Sequence, residues 1–128
     1  MRILALDAGE ARCGCAVCDP TGTVVTPLDP VARPDTRRGL DTLARFVRER
    51  EVEQIVVGLP LTMRGEEGEQ ARWTRRFAER LAEVVDVPVV MHDERLTTRQ
   101  AERSGGAAQE DSRAAAHLLE AFLMTRTG

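Results

Sequence analysis

Arg2-Ile3-Leu4-Ala5-Leu6-Asp7-Ala8-Gly9-Glu10-Ala11-Arg12-Cys13-Gly14-Cys15-Ala16-Val17-Cys18 decides how the rest of the chain is read. Arg2 to Asp7 reads as a buried strand that ends on a carboxylate. Ala8-Gly9-Glu10-Ala11 is a turn, and Arg12 to Cys18 is a second strand of small residues. Asp19-Pro20-Thr21-Gly22 is a strong turn signal. A third strand follows near Thr23 to Val31, and Pro27 and Pro30 place it at a sheet edge, because proline cannot donate to a ladder. Three strands joined by short turns pair antiparallel.

Working outward, Leu40, Leu43, Ala44 and Val47 recur at helical spacing, and Asp35 or Thr36 can cap that helix. Gln54 to Leu59 is apolar on both faces and so predicts a central strand. After a glycine-containing loop, a helix is expected over 69–85, with Trp73, Phe77, Leu81 and Val84 as its apolar stripe. Val87 to His92 is the fifth strand. Thr97 with Gln100 offers a capping box for a short helix that Ser104-Gly105-Gly106 ends. A last helix is expected from about Asp111 to Thr125. The later strands each follow a helix, so strands four and five should be parallel neighbours. The expected fold is α/β: a mixed five-stranded sheet, three strands antiparallel and two parallel, with helices on both faces.

A chain of 128 residues suits one domain, 1–128. No apolar run approaches the ~20 residues that span a bilayer. The N-terminus shows no signal peptide, so a cytoplasmic location is the expectation. The net charge of −3 counts mildly against nucleic acid as a partner. All 18 basic residues are nevertheless arginine, which suits bidentate phosphate contacts. Cys13 and Cys15 sit ~6.6 Å apart along one strand face and are poorly placed to bridge. No cysteine–histidine pattern marks a zinc site. With 3% aromatic residues, a base-stacking surface is not expected.

Three acids stand where separate elements should converge. Asp7 ends strand one, Glu94 lies just past strand five, and Asp111 starts the last helix. On that helix Asp111, Ala115, Leu118 and Phe122 share a face, so Asp111 should point toward the sheet. Each acid alone has a plainer reading: a turn residue, a surface acid, a helix cap. Asp19 and Asp93 are nearby spares, and pattern alone does not choose between Asp93 and Glu94. Together such acids could hold Mg²⁺ or Mn²⁺, oxygen-seeking ions that act in pairs ~3.5–4 Å apart in phosphodiester hydrolysis.

Four segments resemble motifs of the YqgF/RuvX family. They are Leu6-Asp7-Ala8-Gly9 with Arg12 to Asp19, then Val57-Gly58-Leu59-Pro60-Leu61-Thr62-Met63-Arg64-Gly65, then Asp93-Glu94-Arg95-Leu96-Thr97-Thr98, and Asp111-Ser112-Arg113-Ala114-Ala115. The resemblance implies an RNase H-like fold and a nuclease. Residue by residue it places the catalytic, metal-binding acids on Asp7, Glu94 and Asp111, and so selects Glu94 over Asp93. It also implies two roles, resolution of Holliday junctions or trimming of precursor 16S rRNA. The family's basic loop before the last acid is here the nearly neutral Gly105-Gly106-Ala107-Ala108-Gln109-Glu110.

On this basis Asp7 is expected to bridge two cations, with Glu94 and Asp111 completing their shells. Two doubly charged ions outweigh three carboxylates, so the loaded site attracts phosphate. Arg12, Arg64, Arg95, Thr97, Thr98 and Arg99 are the candidate nucleic-acid contacts, although Arg95 could equally pair with Asp93 or Glu94. His92 reads as a strand-end polar residue. A symmetric cut through a four-way junction would need a homodimer. The competing expectations are an ATP- or phosphate-binding module of the same fold family, and a non-catalytic nucleic-acid- or ribosome-associated binding protein.

Overall fold

Side-chain alternation along the first strand sets the two layers of the molecule. In β1 (Ile3–Ala8), Leu4 and Leu6 face one layer while Ile3 and Ala5 face the other, and all four are buried. The structure, a computed structural model, describes residues 1–96 and 110–126, apart from the side chains of Leu96, Glu110 and Asp111. β2 (Arg12–Cys18) and β3 (Val25–Ala32) follow, then α1 (Arg37–Glu49), β4 (Gln54–Leu59), α2 (Glu69–Ala82) and β5 (Val89–Asp93). A 3₁₀ turn, Glu94–Leu96, ends this run, and α3 spans Glu110–Arg126. The short helix expected from Thr97 lies outside the described residues.

The strands form one sheet in the order β3-β2-β1-β4-β5. β1, β2 and β3 pair antiparallel, and β4 is parallel to both β1 and β5. This is the mixed sheet predicted from the sequence, with the proline-bearing strand at one edge. Leu4, Leu6 and Val57 pack against Leu43 of α1 and Phe77 and Leu81 of α2. On the opposite face Ile3, Ala5 and Val56 pack against Ala115, Leu118 and Leu119 of α3. Among the described residues no helix is long and apolar enough to cross a membrane. The three cysteines are free and buried, as small strand residues.

β5 runs Val89–Asp93 rather than Val87–His92, and the start of β3 and the end of α2 differ from expectation for local reasons. β3 begins at Val25 rather than Thr23, because the amides of Thr23 and Val24 donate to Asp19 Oδ1 at 2.8 and 2.9 Å. α2 stops at Ala82, where Val84 N closes back on the Leu81 carbonyl at 3.0 Å. Val84 is therefore 41% exposed and leaves the stripe, whose buried members are Ala71, Thr74, Phe77, Ala78 and Leu81. Trp73 stacks on Phe77 at 5.7 Å, at the margin of that core.

The entry to α1 is tight. Thr36 is the N-cap, accepting from Gly39 N at 3.2 Å. A Cβ on Gly39 would lie 2.2 Å from the Arg33 carbonyl oxygen. Gly39→Ala should therefore cost ~2–3 kcal/mol, although alanine is by itself about 1 kcal/mol better in a helix. Urea unfolding measures the sign, and an unchanged or raised stability would contradict this packing.

Candidate metal centre and active site

β1, β4 and β5 run parallel, so their C-terminal ends lie at one edge of the sheet. Asp7 is the penultimate residue of β1 and follows the alternation of Ile3 and Ala5, which puts it on the α3 face. Its cross-strand partner in β2 is Gly14. On the other side Gly58 follows Val57, the partner of Leu6. Two neighbours without side chains thus leave open space beside this carboxylate.

Glu94 fills part of that space. It is the first residue of the 3₁₀ turn after β5, and its side chain folds onto Gly58. A Cβ on Gly58 would lie 2.8 Å from Glu94 Oε1 and 3.0 Å from Cγ. The Glu94 carboxyl is hydrogen-bonded to Asp7, which requires a proton between them. Burial, that hydrogen bond, and repulsion from Asp7 and Asp93 push Glu94 up to about 8. The pair therefore holds a proton at neutral pH, in a place where a cation could stand instead. A hard oxygen donor set with surplus negative charge fits Mg²⁺ or Mn²⁺.

The third predicted ligand, Asp111, stands in the first turn of α3, one turn before the buried Ala115; its side chain lies outside the described residues. That turn is anchored over the sheet. Ser112 is buried, and its hydroxyl donates to the Leu28 carbonyl. Leu28 pairs with Cys15, next to Gly14, and the register of β3 shifts beside it. Among the described residues no group of three His, Cys, Asp or Glu side chains could hold a metal, so the described part of the site is the Asp7–Glu94 pair.

The spare acids are occupied elsewhere. Asp19 sits at the far end of β2, where Thr21 and the Val24 and Thr23 amides hold it down to about 2. Asp93 takes the Arg95 guanidinium on both oxygens, with Nη2 to Oδ2 at 2.7 Å and Nε to Oδ1 at 3.1 Å. That hydrogen-bonded partner lowers the Asp93 carboxyl, and Arg95 is an ion-pair residue here. Its guanidinium also lies under Gly65, whose φ of +81° suits glycine, and so ties the loop before α2 to the end of β5. Arg12 and Arg64 are exposed at this end of the sheet. Thr97, Thr98 and Arg99 lie outside the described residues.

His92 is a polar residue at the end of β5, as its place in the sequence suggests, and it is turned inward. It is 9% exposed, its ring meets Phe122 edge-on at 5.8 Å, and Nε2 has no partner among the described residues. Desolvation lowers its proton affinity, which favours neutral imidazole.

The RuvX profile, described as a Holliday junction resolvase, matches residues 1–125. The chain belongs to the RuvX family. A Chloroflexus aurantiacus relative that carries the name of a pre-16S rRNA nuclease is 43% identical over 133 residues, covering 97% of this chain and 87% of its own. One from Anaeromyxobacter sp. with the same name is 43% identical over 132 residues, 96% of each chain. Among solved structures, Thermus thermophilus RuvC in complex with a Holliday junction substrate superposes with a TM-score of 0.68 at 16% identity. It covers 100% of this chain and 96% of that one, and the likeness establishes a shared RNase H-like fold.

Two supporting residues of this RuvX chain escaped the sequence reading. Gly58 carried a signal, since a glycine inside an apolar strand often marks a close approach. Ser112 carried none, because its acceptor is 84 residues away.

The raised Glu94 has a consequence for stability. The folded chain holds its proton up to about 8, whereas an ordinary glutamate releases it near 4.5. Between those values the unfolded chain binds fewer protons, so metal-free stability falls as pH rises and levels off above the upper value. The expected loss is several kcal/mol. Glu94→Gln should flatten the profile of denaturation in EDTA; identical profiles for the two proteins would contradict the shared proton.

Proposed function

We propose that this chain is a divalent-metal-dependent nuclease whose cation site is formed by Asp7 and Glu94, with Asp111 as the third ligand. The observation that carries the reading is the placement of the Asp7 and Glu94 carboxyls together beside Gly14 and Gly58, two residues without side chains. A nuclease role agrees with the family and with the names of its relatives. When bound, two Mg²⁺ or Mn²⁺ ions supply an acidified water and relieve charge at phosphorus.

The protein's own groups do the rest. Asp7 is fixed by the β1 ladder, and the 3₁₀ turn aims Glu94 across Gly58 toward it. The two glycines leave a phosphate room to approach from the α3 side. Arg12 and Arg64, exposed at this end of the sheet, would contact flanking phosphates, and Thr97, Thr98 and Arg99 are further candidates from the sequence. Arg95, already shared with Asp93, positions the loop around Gly65 and offers its remaining edge to substrate. The substrate is structured nucleic acid, a four-way DNA junction or precursor 16S rRNA, met in the cytoplasm. Symmetric junction cutting would further require a homodimer.

Cleavage of a labelled four-way junction, a matched duplex and a structured RNA tests this side by side, with Mg²⁺, Mn²⁺ or EDTA. Wild type should cut at least one substrate only with metal. Asp7→Asn should lower the rate more than the ~10–100-fold typical of residues that merely support a ligand. Equal cutting by both proteins would contradict the assignment.

A further inference from the structure

Arg33 has a φ of +43°, in the left-handed region that favours glycine. The described residues hold one other such non-glycine, Glu51, and it simply closes the C-terminus of α1. Arg33 instead bridges β3 and α1 and is held from three sides. Its amide donates to the Ala11 carbonyl at 2.9 Å. Its carbonyl accepts from Thr36 N at 3.2 Å and Thr36 Oγ1 at 2.7 Å. Gly39 lacks the Cβ that would strike that same carbonyl. Ala11 belongs to the turn that directly follows the Asp7 strand end, so Arg33 is fastened one turn from the candidate site. A long cationic side chain on a backbone that suits glycine is a cost unless the side chain is used.

Its surroundings supply the use. Arg33, Arg37 and Arg38 are all exposed. They border two adjoining hollows of about 400 and 500 Å³ that share Arg38 and Thr42. Asp41 is the one carboxylate among the residues lining them. Among the described residues, these three guanidinium groups have no ion pair. Arg75 and Arg95, by contrast, are engaged by Glu67 and Asp93. A positive shoulder on a chain of net charge −3 is complementary to a polyanion.

We propose that Arg33, Arg37 and Arg38 form a clamp for the phosphodiester backbone of a nucleic-acid arm that runs from the Asp7–Glu94 site along the β3–α1 shoulder. The clamp rests on the nuclease reading above. It adds a location for substrate that the motif residues do not supply.

The test uses full-length wild type, Arg33→Gly, the triple variant Arg33→Gly/Arg37→Ala/Arg38→Ala, and Arg48→Ala as a charge-loss control at the far end of α1. Binding to labelled duplex, four-way junction and structured RNA is read by anisotropy from about 50 to about 200 mM salt without divalent ions. The triple variant should bind roughly tenfold or more weakly, with a salt slope on duplex DNA shallower by about 0.9 for each phosphate no longer neutralised. Arg48→Ala should stay within about twofold, since it removes charge away from the clamp. Arg33→Gly should bind more weakly yet melt about 1–3 °C higher, because glycine relaxes the backbone. A purely structural arginine would not give that pair of results. Unchanged affinity and slope in the triple variant overturn the clamp, as does a lower melting temperature with unchanged binding in Arg33→Gly. If wild type still cuts while the triple variant binds normally, the clamp fails and the nuclease reading stands. If wild type neither binds nor cuts any of the three, both fail.

Discussion

The Glu94 carboxyl is buried against Asp7 in the space where β1, β4 and β5 end, and that burial and contact push it up to about 8. Two carboxyls this close cannot both ionise cheaply in a partly buried place. The bound proton relieves the repulsion in the metal-free protein, and a divalent cation would relieve it more completely. On the proposed reading, proton and cation would compete for the same position. The cost of placing the two carboxyls together is carried by the sheet and the three helices packed on it, whose buried residues lie on both faces.

Each neighbouring feature serves that contact. Gly14 and Gly58 flank Asp7 without side chains. The 3₁₀ turn reverses the chain so that Glu94 reaches Gly58 while Asp93 is taken by Arg95. Prolines at 27 and 30 and the register shift disturb the β3 ladder, and the Leu28 carbonyl accepts the Ser112 hydroxyl. That single bond fastens the first turn of α3, and with it the backbone of Asp111, over the strands that carry Asp7.

Much of this could be read from the chain beforehand. The bounds of β2 and β4 were legible because their burial is dictated by composition alone, and the edge position of β3 because proline removes donors. The start of β3 and the end of α2 were not, since side-chain hydrogen bonding by Asp19 and a closing 3₁₀ bond at Leu81 are events of geometry. Pattern left Asp93 and Glu94 open. In the structure the two acids point to different partners, one to Arg95 and one to Asp7. The burial of His92 against Phe122 was not legible either, because nothing in its sequence neighbours announces that contact.

An acidic net charge is compatible with a nucleic-acid substrate where the charge is unevenly distributed. Several carboxylates neutralise arginines pairwise, as Glu67 does Arg75, while the shoulder at Arg33, Arg37 and Arg38 keeps its charge. The most direct measurement of the central pair is calorimetric titration of Mn²⁺ into wild type and Gly58→Ala, in buffers of differing ionisation enthalpy. At about pH 7 wild type should release about one proton as the cation binds, and the release should vanish well above the Glu94 value of about 8. Gly58→Ala, whose new Cβ displaces Glu94, should bind more weakly. Binding without proton release, or equal affinity in both proteins, would contradict a cation site built on Asp7 and Glu94.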